Sequence, residues 1–140
     1  MTRRVTVGDD GRVRARSEGH YWGVVLDAPD ARQLAHFYAR LLEWTIVKEE
    51  PAWTTLAPPD GVAYVAFQTS PEYVRPVWPP IEGRQQMMMH LDIEVADLEA
   101  AVADAVAIGA TVADHQPQEH VRVLLDPVGH PFCLYVDVDG

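Results

Sequence analysis

YWGVVLDAPDARQLAHFYARLLEW, residues 21–44, is the stretch on which the fold turns. Tyr21 to Asp27 is an apolar, β-branched run that reads as a mostly buried strand, and Ala28-Pro29 ends it. Asp30 then stands at a helix N-cap with Gln33 three residues on, an arrangement able to satisfy two free amides of a helix start. A helix is expected to begin at Ala31. Leu34, Phe37, Tyr38, Leu41 and Leu42 follow at offsets of 0, 3, 4, 7 and 8, so all five share one helical stripe that must pack on something.

Beyond this helix, Trp44 to Val47, Trp53 to Leu56 and Ala63 to Gln68 are short strand-like runs, separated by Glu49-Glu50-Pro51 and Pro58-Pro59-Asp60-Gly61. The order is β, α, β, β, β, and the second half repeats it. Met87 to Val95 reads as a strand and Asp97 as an N-cap, 67 residues after Asp30. Leu98, Ala101, Val102, Ala105 and Ile108 form a helical stripe that Gly109 ends. Thr111 to Ala113, Val121 to Leu125 and Phe132 to Val136 complete the copy, with Asp126-Pro127-Val128-Gly129 as a turn. One copy alone leaves a sheet face uncovered; pairing two solves that. The expected fold is α+β, with βαβββ modules at 20–69 and 87–138 forming a curved mixed sheet and helices on its convex side. Residues 70–86, with four prolines, read as a linker.

The 140 residues are 48% apolar, enough for one domain with a real core. No run of eighteen apolar residues occurs, and charged Arg3, Arg4, Asp9 and Asp10 stand where a signal peptide needs an apolar stretch. A cytoplasmic protein without membrane partners is expected. The single cysteine, Cys133, has no partner for an intrachain disulfide, and no CxxC pair suggests a structural zinc site. The formal charge of −10 argues against nucleic acid, whose phosphates are bound by clustered Lys and Arg. The charge is uneven: residues 1–19 carry five Arg against three acids and form an N-terminal extension. Two readings of it stay open, a disordered tail or a hairpin turning at Asp10-Gly11.

The strand, Asp30, Phe37-Tyr38 and Leu41-Leu42-Glu43-Trp44 together resemble the first-module signature of the glyoxalase/bleomycin resistance protein/dioxygenase (vicinal oxygen chelate) superfamily. His90 through Gly109 resembles its second-module signature, and Asp126-Pro127-Val128-Gly129-His130-Pro131-Phe132-Cys133-Leu134 resembles its DPxGxxxxL ending. The resemblance covers nearly everything from Tyr21 onward and extends to bacterial glyoxalase-like proteins without a shared known substrate. It implies a half-open sheet whose concave side holds a divalent metal, with ligands from the first and fourth strands of each module. It also implies that a homodimer is an available assembly.

Carried over by position, the first-strand ligands fall on Gly23 and His90, each seven residues before its N-cap Asp. Only His90 can coordinate. The place of the usual final-strand Glu falls on Cys133, four residues after Gly129, and its first-module counterpart is Val65 in one register and Gln68 in another. One certain His does not make a metal site, so the inherited site reads as eroded.

Alternation within the second module sets His90, Asp92 and Glu94 on one face, opposite Met89, Leu91, Ile93 and Val95. With Asp27 these polar residues form a cluster suited to proton transfer or cation binding, with His90 and Asp92 as the acid/base pair; a solvated sheet face is the competing reading. A ligand pocket is expected around Trp53, Tyr64, Gln68, Trp78, His90 and Cys133, with Phe67 and Met87 to Met89 as further apolar lining and His130 at the mouth. Core packing is the competing role for the apolar ones. No nucleophile elbow, P-loop, dinucleotide fingerprint or HExxH motif competes.

Three functions follow. The first is a small-molecule-binding protein without a catalytic metal. The second is an enzyme: a lyase, isomerase or dioxygenase using a metal on His90, or a metal-free acid/base catalyst. The third is a regulatory module that binds a protein through the proline-rich linker.

Overall fold

The computed structural model describes residues 19–138; the N-terminal extension up to residue 18 lies outside them. Among the described residues the elements run β1 (Trp22–Ala28), α1 (Ala31–Leu42), β2 (Thr45–Glu49), β3 (Trp53–Ala57), β4 (Ala63–Thr69), β5 (Asp92–Glu94), α2 (Leu98–Ala107), β6 (Thr111–Val112), β7 (Val121–Leu125) and β8 (Pro131–Tyr135). This is βαβββ twice. Each module builds its own four-stranded sheet, in the orders β1-β4-β3-β2 and β5-β8-β7-β6. In both, the first and last strands pair in parallel and the other pairings are antiparallel. The curved surface is thus two mixed sheets, one per module.

The caps explain where the helices begin. The Asp30 carboxylate accepts from the amides of Arg32 (3.0 Å) and Gln33 (3.3 Å), so the aspartate alone satisfies both. A third amide, that of Ala31, donates to Thr69 Oγ1 at the end of β4 (2.9 Å), tying helix start to sheet. Asp97 repeats the device on Ala100 (3.1 Å). The end of α1 is less regular: Glu43 has φ 56°, the left-handed conformation that glycine adopts most readily.

The α1 stripe buries Leu34, Phe37 and Tyr38 and packs Leu41 and Leu42 beside them. Its aromatic pair reaches both sheets. Tyr38 stacks on Phe67 of β4 (centroids 5.5 Å apart), and Phe37 and Tyr38 each meet the edge of Phe132 of β8 at 6.1 Å. One core therefore serves both modules, and Phe67 belongs to it, fully buried, instead of lining a pocket.

The strand expected over Met87 to Val95 is only Asp92–Glu94. The physical cause is its partner. Pairing with β8 starts at Asp92 opposite Cys133, whose amide donates to the Leu91 carbonyl at 2.9 Å. Upstream of Cys133, Pro131 has no N–H to offer and His130 turns back into the Asp126–Gly129 turn, so Met87 to Met89 stay outside the ladder. Leu91, Ile93 and Val95 nevertheless face the core as alternation requires.

The linker is fastened rather than free. The Tyr73 hydroxyl donates to the Val128 carbonyl at 2.6 Å, the Trp78 indole donates to the His115 carbonyl at 3.1 Å, and Val77 bridges to Gln86.

Candidate functional site

On the face of the second sheet away from the helices, β5 and β8 bring three donor side chains together. Asp92 and Cys133 are register partners, and His90 stands two residues before Asp92 on the same side. His90 Nε2 lies 3.0 Å from Asp92 Oδ1, and one donor atom from each of His90, Asp92 and Cys133 lies within 4.8 Å of the others. His90 and Asp92 are exposed and Cys133 is half-buried. Burial, reinforced by the negative charge of Asp92 and a hydrogen bond to it, pushes the Cys133 thiol up to about 11. The thiol is thus protonated at neutral pH. Glu94 and Asp27, expected in the same cluster, are not part of it; Cys133 is.

The first module supplies no counterpart. Val25 pairs with Ala66 as Asp92 pairs with Cys133, and Val25 and Asp92 each lie five residues before their N-cap aspartates. Cys133 therefore corresponds to Ala66, between the two registers left open by the sequence. Val65 is buried toward α1, and Gln68 is exposed opposite Asp27 and Trp53. Gly23, the counterpart of His90, pairs with Tyr64, whose ring occupies the space that a Cβ at Gly23 would need. An aromatic ring stands where the first module would otherwise present a ligand.

A cavity of about 370 Å³ opens between β1, the linker and the start of β8. Val25, Leu26 and Asp27 form one wall, Tyr73 and Pro76 a second, and Met87, Met88, Met89, His130 and Pro131 the rest. The size is that of a small-molecule site, and apolar groups dominate the lining. His130 holds it together: its Nε2–H donates to the Asp27 carbonyl (2.6 Å), its ring meets Tyr73 edge-on at 5.4 Å, and its amide donates to Asp126 (3.0 Å).

Of the residues singled out by sequence, Met87 to Met89 and His130 line this cavity, whereas Trp53, Tyr64, Gln68, Trp78, His90 and Cys133 do not. Trp53 is half-buried with its indole on Thr55 (3.0 Å), and Trp78 tilts against His115. The cavity and the donor cluster are neighbours along the chain. His90 follows Met89, and Pro131 precedes Cys133 by two on one strand, hence on the same face. Strand alternation already turns Val25, with Gly23 and Asp27, to the concave side, whereas Tyr73 escaped sequence reasoning because only the tertiary arrangement lays the linker against β1.

The family pattern described as a glyoxalase-like domain matches residues 23–135. Several solved structures share the fold. A glyoxalase/bleomycin resistance protein/dioxygenase family enzyme from Burkholderia phytofirmans PsJN is 17% identical, with a TM-score of 0.60 over 81% of this chain and 95% of that one. The fosfomycin resistance protein FosX from Mesorhizobium loti is 12% identical, with a TM-score of 0.61 over 89% of this chain and 96% of that one. A glyoxalase/bleomycin resistance protein/dioxygenase from Alicyclobacillus acidocaldarius is 17% identical, with a TM-score of 0.58 over 89% and 96%. No curated protein matches the sequence significantly. With its two βαβββ modules and a family match spanning both, the chain belongs to the glyoxalase-like domain family of the vicinal oxygen chelate superfamily.

Proposed function

We propose that this protein binds a small, largely apolar molecule in the cavity beside β1, with the His90–Asp92–Cys133 group on the adjoining surface as the polar end of the site. The cavity is the observation that carries the reading: about 370 Å³, walled by Val25, Pro76, Pro131 and three methionines, and braced by His130. The neutral fluorophore N-phenyl-1-naphthylamine tests it. The wild type is expected to bind, and Val25→Trp, which fills the cavity, to lose most of the affinity. Equal binding by both proteins, or binding by neither, sinks the proposal.

A second reading is enzymatic, and the three-donor cluster favours it. One nitrogen, one carboxylate oxygen and one sulfur, all from β5 and β8, fit a borderline-soft divalent ion such as zinc and leave a position open for substrate. His90, Asp92 and Cys133 would be its ligands, with the thiol deprotonated on binding. The ion would supply Lewis-acid polarisation of a bound oxygen. Without an ion, the His90–Asp92 pair at 3.0 Å is suited to hold and pass a proton, the role of an acid/base catalyst. Elemental analysis of protein purified without a chelator separates the cases. Near-stoichiometric metal that disappears in His90→Ala supports the metal enzyme; metal-free protein after zinc supplementation removes it.

Two further assignments belong to this proposal. A second copy of the chain is the proposed protein partner, seated on the N-terminal end of β1. The proposed compartment is the cytoplasm, where the free thiol of Cys133 stays reduced, which fractionation followed by thiol labelling would check. No helix among the described residues is long and apolar enough to cross a membrane.

A further inference from the structure

After Met1, the sulfur of this chain is confined to two places, Met87–Met88–Met89 and Cys133. Methionine is ordinarily a core residue, yet Met88 is 84% exposed and Met89 is 73% exposed. Both, with Met87, form a wall of the cavity beside β1. They are held out there for the reason given above: the ladder to β8 begins only at Asp92, so the methionines have no strand to pair with and no core to enter.

The two kinds of sulfur differ sharply toward oxidants. Cys133 is half-buried on β8, so a peroxide has only restricted approach to its sulfur. A thioether needs only access. Met88 and Met89 have access, so an oxidant meets them first.

We propose that Met88 and Met89 are a reversible oxidation site, at which a peroxide converts both thioethers to sulfoxides and thereby closes the neighbouring cavity to apolar ligands. The functional half of this proposal rests on the cavity being a ligand site. In the step itself, the sulfur lone pair attacks one peroxide oxygen, the O–O bond breaks, an S–O bond forms, and the other oxygen leaves as water. Sulfur is oxidised by two electrons and the peroxide is reduced by two. Methionine sulfoxide reductases reverse it with two electrons from a thiol reductant, releasing the oxygen as water. A sulfoxide turns a soft apolar wall into a polar one that must be desolvated when an apolar ligand enters.

The test uses the full chain, hydrogen peroxide as oxidant and N-phenyl-1-naphthylamine as probe. Peptide mass spectrometry is expected to find one added oxygen on each of Met88 and Met89 while Cys133 is still a free thiol. Probe affinity is expected to fall roughly tenfold on oxidation, as about one newly unsatisfied polar group in the site would cause, and to recover after reductase treatment. The Met88→Leu/Met89→Leu variant sets its own starting affinity, and that affinity should not change on peroxide treatment. Sulfoxides at both positions with unchanged affinity overturn the closure, and so does an equal loss of affinity in the leucine variant. Oxidation of Cys133 ahead of the methionines overturns the site. Failure of the untreated wild type to bind the probe overturns the ligand reading instead, and is seen before any peroxide is added.

Discussion

Asp126 is 1% exposed, and every oxygen it carries is engaged. Oδ2 accepts from the Tyr38 hydroxyl at 2.8 Å, and Oδ1 accepts from the amides of Val128 (2.9 Å) and His130 (3.0 Å). The residue thus shapes the turn that aims His130 at Asp27 and links that turn to the helix of the other module. Burial pushes its pKa up, and the nearby His130 and the three hydrogen bonds pull back only part of that shift. A raised carboxylate pKa means that ionisation is harder in the folded state than in the unfolded one. The associated stability is therefore full below the ordinary Asp value of about 3.9 and is lost as pH rises through the raised folded value, after which the loss is constant. Asp126→Asn removes that titration. Urea unfolding across this pH window should show the variant gaining on the wild type as pH rises, and a difference that does not change with pH would contradict this account. The sequence marked Asp126 as the first residue of a turn and of the DPxGxxxxL ending; its burial and its bond to Tyr38, 88 positions away, are tertiary facts.

At the scale of elements, both helices start where their capping aspartates say and both turn toward the core the stripes read from their periodicity. Helix α1 buries Leu34, Phe37 and Tyr38, and α2 buries Ala105 with the rest of its stripe partly covered. The end of α1 carries an avoidable strain. Glu43 is in the left-handed conformation, and its carboxylate sits near the partial negative charge of the helix C-terminus. Glu43→Gly is expected to stabilise the protein by about 0.5–1 kcal/mol, because glycine takes that conformation without penalty and removes the unfavourable charge. The midpoint of urea unfolding checks it, and a lower midpoint would show that the Glu43 side chain makes contacts worth more than the strain. The β5 strand is the counterexample. Its apolar run looked long enough for nine residues, yet three form a ladder, because strand length is decided by what the partner strand can offer.

For the whole molecule, the two modules share the aromatic cluster of Phe37, Tyr38, Phe67 and Phe132, so they are not independent units strung on a linker. That arrangement spends the convex side of each sheet on the common core. The other side of β1 remains open at its N-terminal end, where Tyr21 is 72% exposed and Trp22 is 53% exposed on an edge strand. Exposed aromatic side chains at a strand that is an edge among the described residues are a ready contact surface, and the second copy of the chain was proposed there for that reason. Sedimentation velocity should show a dimer that Trp22→Arg weakens by about thirtyfold or more, the effect of losing a central aromatic contact. A monomeric wild type at high protein concentration would remove the dimer.

By itself the sequence determined the order βαβββ twice, the two helix starts, the stripes that face the core, the polar face carrying His90 and Asp92, and the family. These are local properties: caps act over three residues, amphipathic periods over a turn or a pleat, and a family motif over a few positions. What only the tertiary structure decided is which residues meet. It joined Cys133 to His90 and Asp92, matched it to Ala66 in the other module, covered Gly23 with Tyr64, and laid the linker against β1 to make the cavity. Contacts of that kind depend on strand register and on how two sheets settle around one core, and neither is encoded in the spacing of residues along the chain.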